Sequence, residues 1–356
     1  RLKSVNFLVP RGLIIVDYSL QPIKFNRRRL KEKGYSVKIY YNTVKGLFEC
    51  DILCINSKYF SKSWKTPEVV FSFINNARKY CNKIVWFDDS DSTGITHFEL
   101  LPYIDLYLKK QLLKDRNLYT KKYYGDRIFT DFYHNNYGIV DEDPYHSKPI
   151  DLRLVHKVGL SWHIGLGNMY DSIMPFKTFR HYGYFLYKIP FRDPQIKKKL
   201  DIMARGSTNY ARNTTKFHRQ KLREQLNKMN HLSSALDGRV SIRCYKKEMG
   251  SAKLVVSPFG WGEIGVRDFD AFIYGAALVK PDMSHMETWP DVFIPGKTYQ
   301  PISWGFDDLE KNIMALINDD KKRKEIAKNG QNVYKEIISD KGMEFFCDWF
   351  VLQIEK

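Results

Sequence analysis

The sequence is short of several features that would define a class of protein at once. Its 356 residues include five cysteines, which are scattered and do not pair with histidines at metal-ligand spacing. No run of about 18 apolar residues could span a bilayer, and no charged-then-apolar leader opens the chain. Internal repeats and low-complexity tracts are also missing. We therefore expect a globular cytoplasmic protein whose thiols are reduced.

Acidic residues are in deficit as well. The chain has 40 Asp and Glu against 58 Lys and Arg, which gives a net charge of +18. A field of this sign attracts polyanions: nucleic acids, anionic membrane surfaces or phosphorylated small molecules. Hydrophobic residues make up 43% and aromatic residues 15% of the chain, a composition that excludes intrinsic disorder. A length beyond about 250–300 residues predicts two domains.

Short apolar runs alternate with polar segments along both halves of the chain. In the first half the predicted strands are SVNFLVP, YSVKIYY, CDILCIN and KIVWF. A second series follows the basic segment KIPFRDPQIKKK, with predicted strands that include LDIMA, VSIRC and KLVVSP. Strands that alternate with helices predict parallel, doubly wound sheets in the α/β class.

The segment KIPFRDPQIKKK also marks the expected domain boundary. We predict a Rossmann-like N-terminal domain over 1–190 and a second Rossmann-like domain over 191–340. The remaining residues, 341–356, have the pattern of an amphipathic helix. This helix is expected to pack back on the N-terminal domain.

The most informative stretch is SPFGWGEIGVRDFDAFIYG, which runs from Ser257 to Gly275. It follows a buried strand and places three glycines before a helix whose first turn contains Arg267. A glycine-rich turn at the carboxyl end of a strand lets backbone amides and the helix N-terminus approach a phosphate. The planar guanidinium of Arg267 suits a diphosphate. A purely structural turn, with Arg267 paired to Asp268 or Asp270, is the alternative.

This stretch and its continuation resemble the nucleotide-binding half of GT-B glycosyltransferases, over about Leu200 to Ile338. The resemblance is carried by the glycine-rich loop, by Asp270-Ala271 and Gly275, and by the following strand ALVKP. It is closest to the exostosin-like and protein O-glucosyltransferase-like branches. The resemblance implies two Rossmann-like domains facing across a cleft, with the acceptor on the first and the nucleotide sugar on the second.

The implied activity is transfer of a sugar from a nucleotide-sugar donor, which is a substrate, to the hydroxyl of a glycan, lipid-linked or protein acceptor. No cofactor or metal is required, and an anionic membrane surface is a further expected partner. The implied donor-site residues are Arg205, Arg219, Tyr245, Trp261, Gly262, Glu263, Gly265, Arg267 and Asp270, with Arg212 and His218 as further basic candidates. Retaining members carry two glutamates eight residues apart. Here Gly262 stands eight residues before Asp270, which favours inversion.

An inverting transferase needs a base for the acceptor hydroxyl. The segment WFDDSDSTG places Asp88, Asp89 and Asp91 directly after a predicted strand, and these are our catalytic candidates; Asp17 and His163 are secondary ones. The D-x-D formed by Asp89 and Asp91 would bind a divalent metal in the other glycosyltransferase fold, GT-A, and acids that cap a helix are a third interpretation. Because the donor-like features lie much later in the chain, we predict a metal-independent site.

Two other functions stay open at this point. A basic nucleic-acid-binding protein would use the charge and the many tyrosines, although no known nucleic-acid motif is present. A catalytically inactive GT-B scaffold would bind nucleotide without turnover.

Overall fold

The computed structural model describes residues 1–167 and 189–356. In its first part, a sheet of six parallel strands has the order β2-β1-β3-β4-β5-β7. Its strands are β1 (Lys3–Leu8), β2 (Tyr35–Tyr40), β3 (Ile52–Asn56), β4 (Lys83–Asp88), β5 (Leu106–Lys109) and β7 (Val158–Leu160). The helices are α1 (Ile14–Phe25), α2 (Arg27–Glu32), α3 (Glu68–Ala77) and α4 (Ile128–Tyr137). The strand order reverses at β1, as in a doubly wound sheet.

A second parallel sheet has the order β13-β11-β10-β8-β9. Its strands are β8 (Leu200–Met203), β9 (Ser234–Ala235), β10 (Ala252–Val256), β11 (Ala277–Pro281) and β13 (Gln300–Ile302). The helices of this part are α5 (Asn213–Lys228), α6 (Ile242–Ser251), α7 (Val266–Ile273), α8 (Leu309–Asn318) and α9 (Asp320–Ile337). The central strands β10 and β11 are almost wholly buried, as expected for strands covered on both faces.

Two short strands connect the halves. β6 (Gln111–Leu113) pairs antiparallel with β12 (Met286–Thr288). This ribbon fixes the carboxyl end of the first sheet against the second half of the chain.

The last helix, α10 (Asp340–Glu355), returns to the first sheet. The ring of Phe350 lies 6.0 Å from those of Phe7 and Trp162, and Glu355 accepts a hydrogen bond from Lys3 at 2.8 Å. The end of the chain thus covers the start of β1.

One predicted strand is wrong. VSIRC is not a strand, because Ser241 begins helix α6 and its hydroxyl accepts a hydrogen bond from the amide of Cys244 at 3.2 Å. Asp17, a secondary base candidate, lies in the first turn of helix α1. All five cysteines are free thiols. No helix within the described residues has the length and apolar character needed to cross a membrane.

The packing of α10 gives a stability prediction. Phe350→Ala should lower the free energy of unfolding by about 3–5 kcal/mol, because the ring is wholly buried and its removal leaves a cavity. Phe345→Ala on the same helix is the matched control, since Phe345 is 55% exposed and its loss should cost no more than about 0.5 kcal/mol. Chemical denaturation measures both. Equal losses of unfolding free energy in the two variants would show that the packing of Phe350 does not stabilise α10.

Candidate active site

A cavity of about 790 Å³ opens between the two sheets. The first half contributes Ile15, Asp91, Lys110, Gln111 and Ile164 to its wall. The second half contributes the loop after β10, the first turn of α7, the segment after β8 and the start of α6. The cavity lies at the carboxyl ends of parallel strands, where open α/β sheets bind ligands.

The glycine-rich loop contacts the first half directly. A Cβ atom on Gly262 would lie 1.3 Å from the backbone oxygen of Asp91, so no other residue fits there without moving one of the two loops. A Cβ on Gly265 would meet nothing within 4 Å. None of the three loop glycines has a positive φ. The feature that requires glycine is thus the close approach of two loops at Gly262.

Two buried charges hold this loop in place. The Arg127 guanidinium donates to the backbone oxygen of Trp261 at 2.8 Å. Glu263 is 1% exposed, and its carboxylate accepts hydrogen bonds from the Thr93 amide and hydroxyl and from Gln111. Glu263 therefore lies outside the cavity wall. We expected Glu263 to contact the donor; instead, its carboxylate joins the two halves of the chain.

Arg267 lies in the first turn of α7, which begins after Gly265. No carboxylate among the described residues lies within ion-pair distance of its guanidinium, and its Nε has no hydrogen-bond partner there. Asp268 is 3.0 Å from Lys280, and Asp270 accepts a hydrogen bond from Tyr245 at 2.9 Å. Neither neighbouring acid forms an ion pair with Arg267, although the charge of Arg267 acts to lower the pKa of Asp270 and its guanidinium hydrogen-bonds to Tyr245. The alternative in which Arg267 is paired to Asp268 or Asp270 is therefore not what the geometry shows.

Other arginines lie close to Arg267. The guanidinium of Arg219 donates to the backbone oxygen of Phe259 at 2.8 Å and lies over the ring of Tyr210. Burial lowers the pKa of Arg219 to about 10, and the charge of Arg267 acts in the same direction. Arg205 also lines the cavity, but its guanidinium makes two hydrogen bonds to Glu248, at 2.5 and 2.8 Å. Arg267 and Arg219 thus supply positive charge to the cavity, and neither forms an ion pair with a carboxylate of the described residues.

Two basic candidates lie outside the cavity wall. His218 is wholly buried: its Nε2 accepts from the Phe259 amide at 2.9 Å, and its Nδ1 is 2.5 Å from the Tyr133 hydroxyl. Burial holds the pKa of His218 well below its ordinary value, so the ring is neutral. Arg212 donates to the backbone oxygen of Gly125. Both residues support the loops and do not face the cavity.

The remaining donor candidates also line the cavity. Trp261 and Tyr245 line the cavity with Asp270, and Trp261 is 42% exposed. Burial raises the pKa of Asp270 to about 6, against the hydrogen bond from Tyr245 and the charge of Arg267. Gly262 and Gly265 complete this surface.

The three aspartates after β4 occupy different environments. Asp88 is buried in an ion pair with Lys109 at 2.8 Å and accepts from the Tyr107 hydroxyl. Asp89 is also buried and shares Lys110 with Asp91, each carboxylate 3.2 Å from the ammonium. Only Asp91 lines the large cavity, with 42% of its side chain exposed. Asp88 and Asp89 line a separate small recess instead.

The electrostatics of Asp91 keep it ionised. Burial by itself would raise its pKa, but the ammonium groups of Lys110 and Lys58 outweigh burial and lower the pKa below its ordinary value. The secondary candidates differ. His163 is buried with its pKa lowered by burial to about 4, and Asp17 pairs with Lys24 at 3.2 Å. Neither lines the cavity. Within 1–167 and 189–356, no three His, Cys, Asp or Glu side chains are grouped to hold a metal ion.

The sequence interpretation missed several residues of the wall. Lys110 and Gln111 follow β5, and Tyr210 lies in the loop after β8. None of them belongs to a motif, because each reaches the cavity only through the packing of distant segments. Lys110 and Gln111 could have been predicted only from their place in the chain, directly after the carboxyl end of a parallel strand.

The raised pKa of Asp270 gives a prediction about pH. Its stabilising contribution is present below its unfolded pKa of 3.8 and is lost as the pH rises through its folded pKa of about 6. As the pH rises from 4 to 7, the free energy of unfolding of Asp270→Asn should therefore increase relative to that of the unmodified protein, by up to about 3 kcal/mol. Urea unfolding at both pH values measures this, with the exposed Asp143→Asn as control. Parallel pH curves for the Asp270 variant and the unmodified protein would contradict it.

Solved structures share this architecture. A glycosyltransferase from Rickettsia africae is 10% identical and has a TM-score of 0.51, with 100% of this chain and 99% of that chain covered. HepE from Anabaena, solved with UDP-glucose, is 12% identical at a TM-score of 0.48 over 98% and 99% of the two chains. Sucrose-phosphate synthase from Thermosynechococcus elongatus is 9% identical and has a TM-score of 0.48, with 99% of each chain covered.

No protein-family model and no curated sequence matches the chain. The likeness to solved structures therefore concerns the fold. The α/β class predicted from the sequence is confirmed: the chain has the GT-B fold, with two Rossmann-like units facing across a cleft.

Proposed function

We propose that this protein is a glycosyltransferase that moves a sugar from a nucleotide-sugar donor to an acceptor hydroxyl. The observation that carries the proposal is the guanidinium of Arg267, which forms no ion pair with the described carboxylates and lines a cavity of about 790 Å³ between the two sheets. A cation without an ion-pair partner in a cleft, beside the amides of a helix N-terminus, suits a diphosphate. The GT-B fold supports the same function.

We propose that the donor diphosphate lies between Arg267 and Arg219. The nucleoside would extend towards Tyr245 and the start of α6, and the sugar towards Trp261 and the first half. Glycosyl transfer creates negative charge on the leaving diphosphate, and fixed cations stabilise that charge most in the transition state. Arg205 would act indirectly, because Glu248 already binds its guanidinium.

We propose Asp91 as the base. Of the three aspartates after β4, it alone lines the cavity, on the part of the wall that the first half contributes. It would take the proton of the acceptor hydroxyl as the new bond to the anomeric carbon forms. The bond to the diphosphate breaks at the same time, and its electron pair leaves with the nucleotide. We further propose inversion, because Gly262 replaces the first of the two glutamates that retaining members commonly carry.

The other finer assignments are proposals too. The acceptor would bind to the domain over 1–190 and the donor to the domain over 191–340, with 341–356 packed on the first. Metal independence is supported by Lys110, whose ammonium lies between the carboxylates of Asp89 and Asp91 where a D-x-D metal would stand. The likeness to the exostosin-like and protein O-glucosyltransferase-like branches rests on the position of Arg267. A peripheral location on an anionic membrane follows from the charge of +18.

A thermal-shift panel of nucleoside diphosphates and nucleotide sugars tests the function. An upward shift that is insensitive to salt supports the transferase. A steep salt-dependent affinity for DNA or RNA, with no nucleotide shift, would favour a nucleic-acid-binding protein. Nucleotide binding without release of nucleoside diphosphate from any donor would favour an inactive scaffold.

The role of Arg267 gives a prediction. Arg267→Ala should weaken binding of the best nucleotide by about 2–3 kcal/mol, roughly 30- to 150-fold, because charge-assisted hydrogen bonds to the diphosphate are lost. Calorimetric titration measures the affinity, and the melting temperature checks the fold. Arg243→Ala is the matched control, since Arg243 is exposed on α6 and does not line the cavity. Equal affinity of the two variants would remove Arg267 from the site.

The role of Asp91 gives a second prediction. Asp91→Asn keeps the size of the side chain but cannot accept a proton, so kcat for release of nucleoside diphosphate should fall by about 10²–10⁴-fold. The affinity for the nucleotide should change little, because the carboxylate does not contact the diphosphate. Unchanged turnover with intact binding would assign the base to another group.

A further inference from the structure

A second cavity, of about 440 Å³, lies at the amino ends of the strands of the second sheet, the edge that is far from the cleft. Lys198, which precedes β8, Lys253, at the start of β10, and Gly275, which precedes β11, contribute to its wall. β10 runs from this cavity to the cleft, where Ser257 lines the wall. At roughly 3.3 Å per residue, the four-residue rise from Lys253 to Ser257 separates the two cavities by about 13 Å. They are separate sites on one domain.

Two basic runs that are far apart in the sequence meet at this cavity. The first is Lys197-Lys198-Lys199 before β8, and the second is Lys321-Lys322-Arg323-Lys324 in the first turn of α9. The wall contains Lys197, Lys198, Lys253, Arg323 and Lys324 but only one carboxylate, that of Asp320. We name this cavity the far-edge basic cavity.

Internal partners neutralise only part of this charge. Asp320 pairs with both Arg323 and Lys324, and Lys253 lies 2.7 Å from Asp201. Lys198 donates only to backbone oxygens, those of Gly250 and Tyr274. Burial lowers the pKa of Lys198 to about 8; the nearby Arg192 acts in the same direction, and the carboxylate of Asp193 acts against both.

No carboxylate within 1–167 and 189–356 pairs with Lys197 or Lys198. The cavity thus holds two lysines, Lys197 and Lys198, that form no ion pair within the described residues.

The amino end of α9 brings further cations to this cavity. Asp319 caps the helix by accepting a hydrogen bond from the Lys322 amide at 2.9 Å, and Asp320 lies in the first turn. Four cations follow these two acids directly. Because the amino end of a helix also carries partial positive charge, an anion bound beside these cations would be favoured there. Ile196 and Ala327 give the same cavity an apolar part.

We propose that the far-edge basic cavity binds a phosphate-bearing ligand, separately from the cleft. The ligand is either a soluble phosphorylated molecule or the headgroup of an anionic phospholipid, since both present the same chemistry to the lysines. The site does not depend on glycosyl transfer.

The test uses Arg267→Ala as background, so that the cleft does not contribute to anion binding. Lys197→Glu with Lys324→Glu reverses two charges of the cavity wall, and Lys38→Glu with Lys79→Glu is the matched control on exposed positions of the first half. Inorganic pyrophosphate is titrated by calorimetry. Cosedimentation is measured with vesicles of phosphatidylglycerol and phosphatidylcholine, against phosphatidylcholine alone.

The cavity variant should lose at least tenfold in one of the two assays, while the control variant keeps its binding. Loss of pyrophosphate affinity identifies a soluble ligand, and loss restricted to the vesicles identifies a headgroup. If the melting temperature shows that the variant with both charges reversed does not fold, the variant with Lys197→Gln and Lys324→Gln takes its place. Equal binding by the cavity and control variants in both assays, or no binding in the Arg267→Ala background, would overturn the proposal.

Discussion

The candidate site depends on one contact, in which the loop after β10 meets the loop after β4. Gly262 lies against the backbone of Asp91, and beside it the buried carboxylate of Glu263 accepts hydrogen bonds from Thr93 and Gln111. A buried carboxylate without these donors would cost several kcal/mol, at least about 3. The contact therefore holds Asp91 of the first half and Arg267 of the second on the wall of one cavity, and the chemistry that we propose needs both.

Charge is distributed unevenly around the second sheet. At its carboxyl edge Arg267 and Arg219 face the cleft, and at its amino edge the lysines of the far-edge basic cavity gather around β10. The acids of this part are mostly committed to internal partners, as Asp268 is to Lys280 and Asp201 to Lys253. Two groups of basic side chains are thus placed at cavities that anions can enter, and this connects part of the net charge of +18 to the proposed binding of phosphates.

The aspartates after β4 show how burial divides neighbouring residues among roles. Alternate side chains at a strand end point to different sides. Asp88 forms an ion pair with Lys109, and Asp89 contacts Lys110 and Ser19. Asp91 lies at the cavity wall, where it forms an ion pair with Lys110. Lys110 is therefore a positioning residue for the carboxylate that we propose as the base.

The sequence by itself determined the α/β class, both parallel sheets and the strand-loop-helix unit around Arg267, because periodicity and turn chemistry are local properties of the chain. It misread VSIRC, where the cap at Ser241 outweighs a short apolar run, and it could not separate Asp91 from Asp88 and Asp89. Tertiary structure alone decided that Glu263 joins the two halves, that Lys110 and Gln111 reach the cavity, and that two basic runs share one cavity. Those outcomes depend on contacts between segments more than a hundred residues apart, for which the sequence has no local signal.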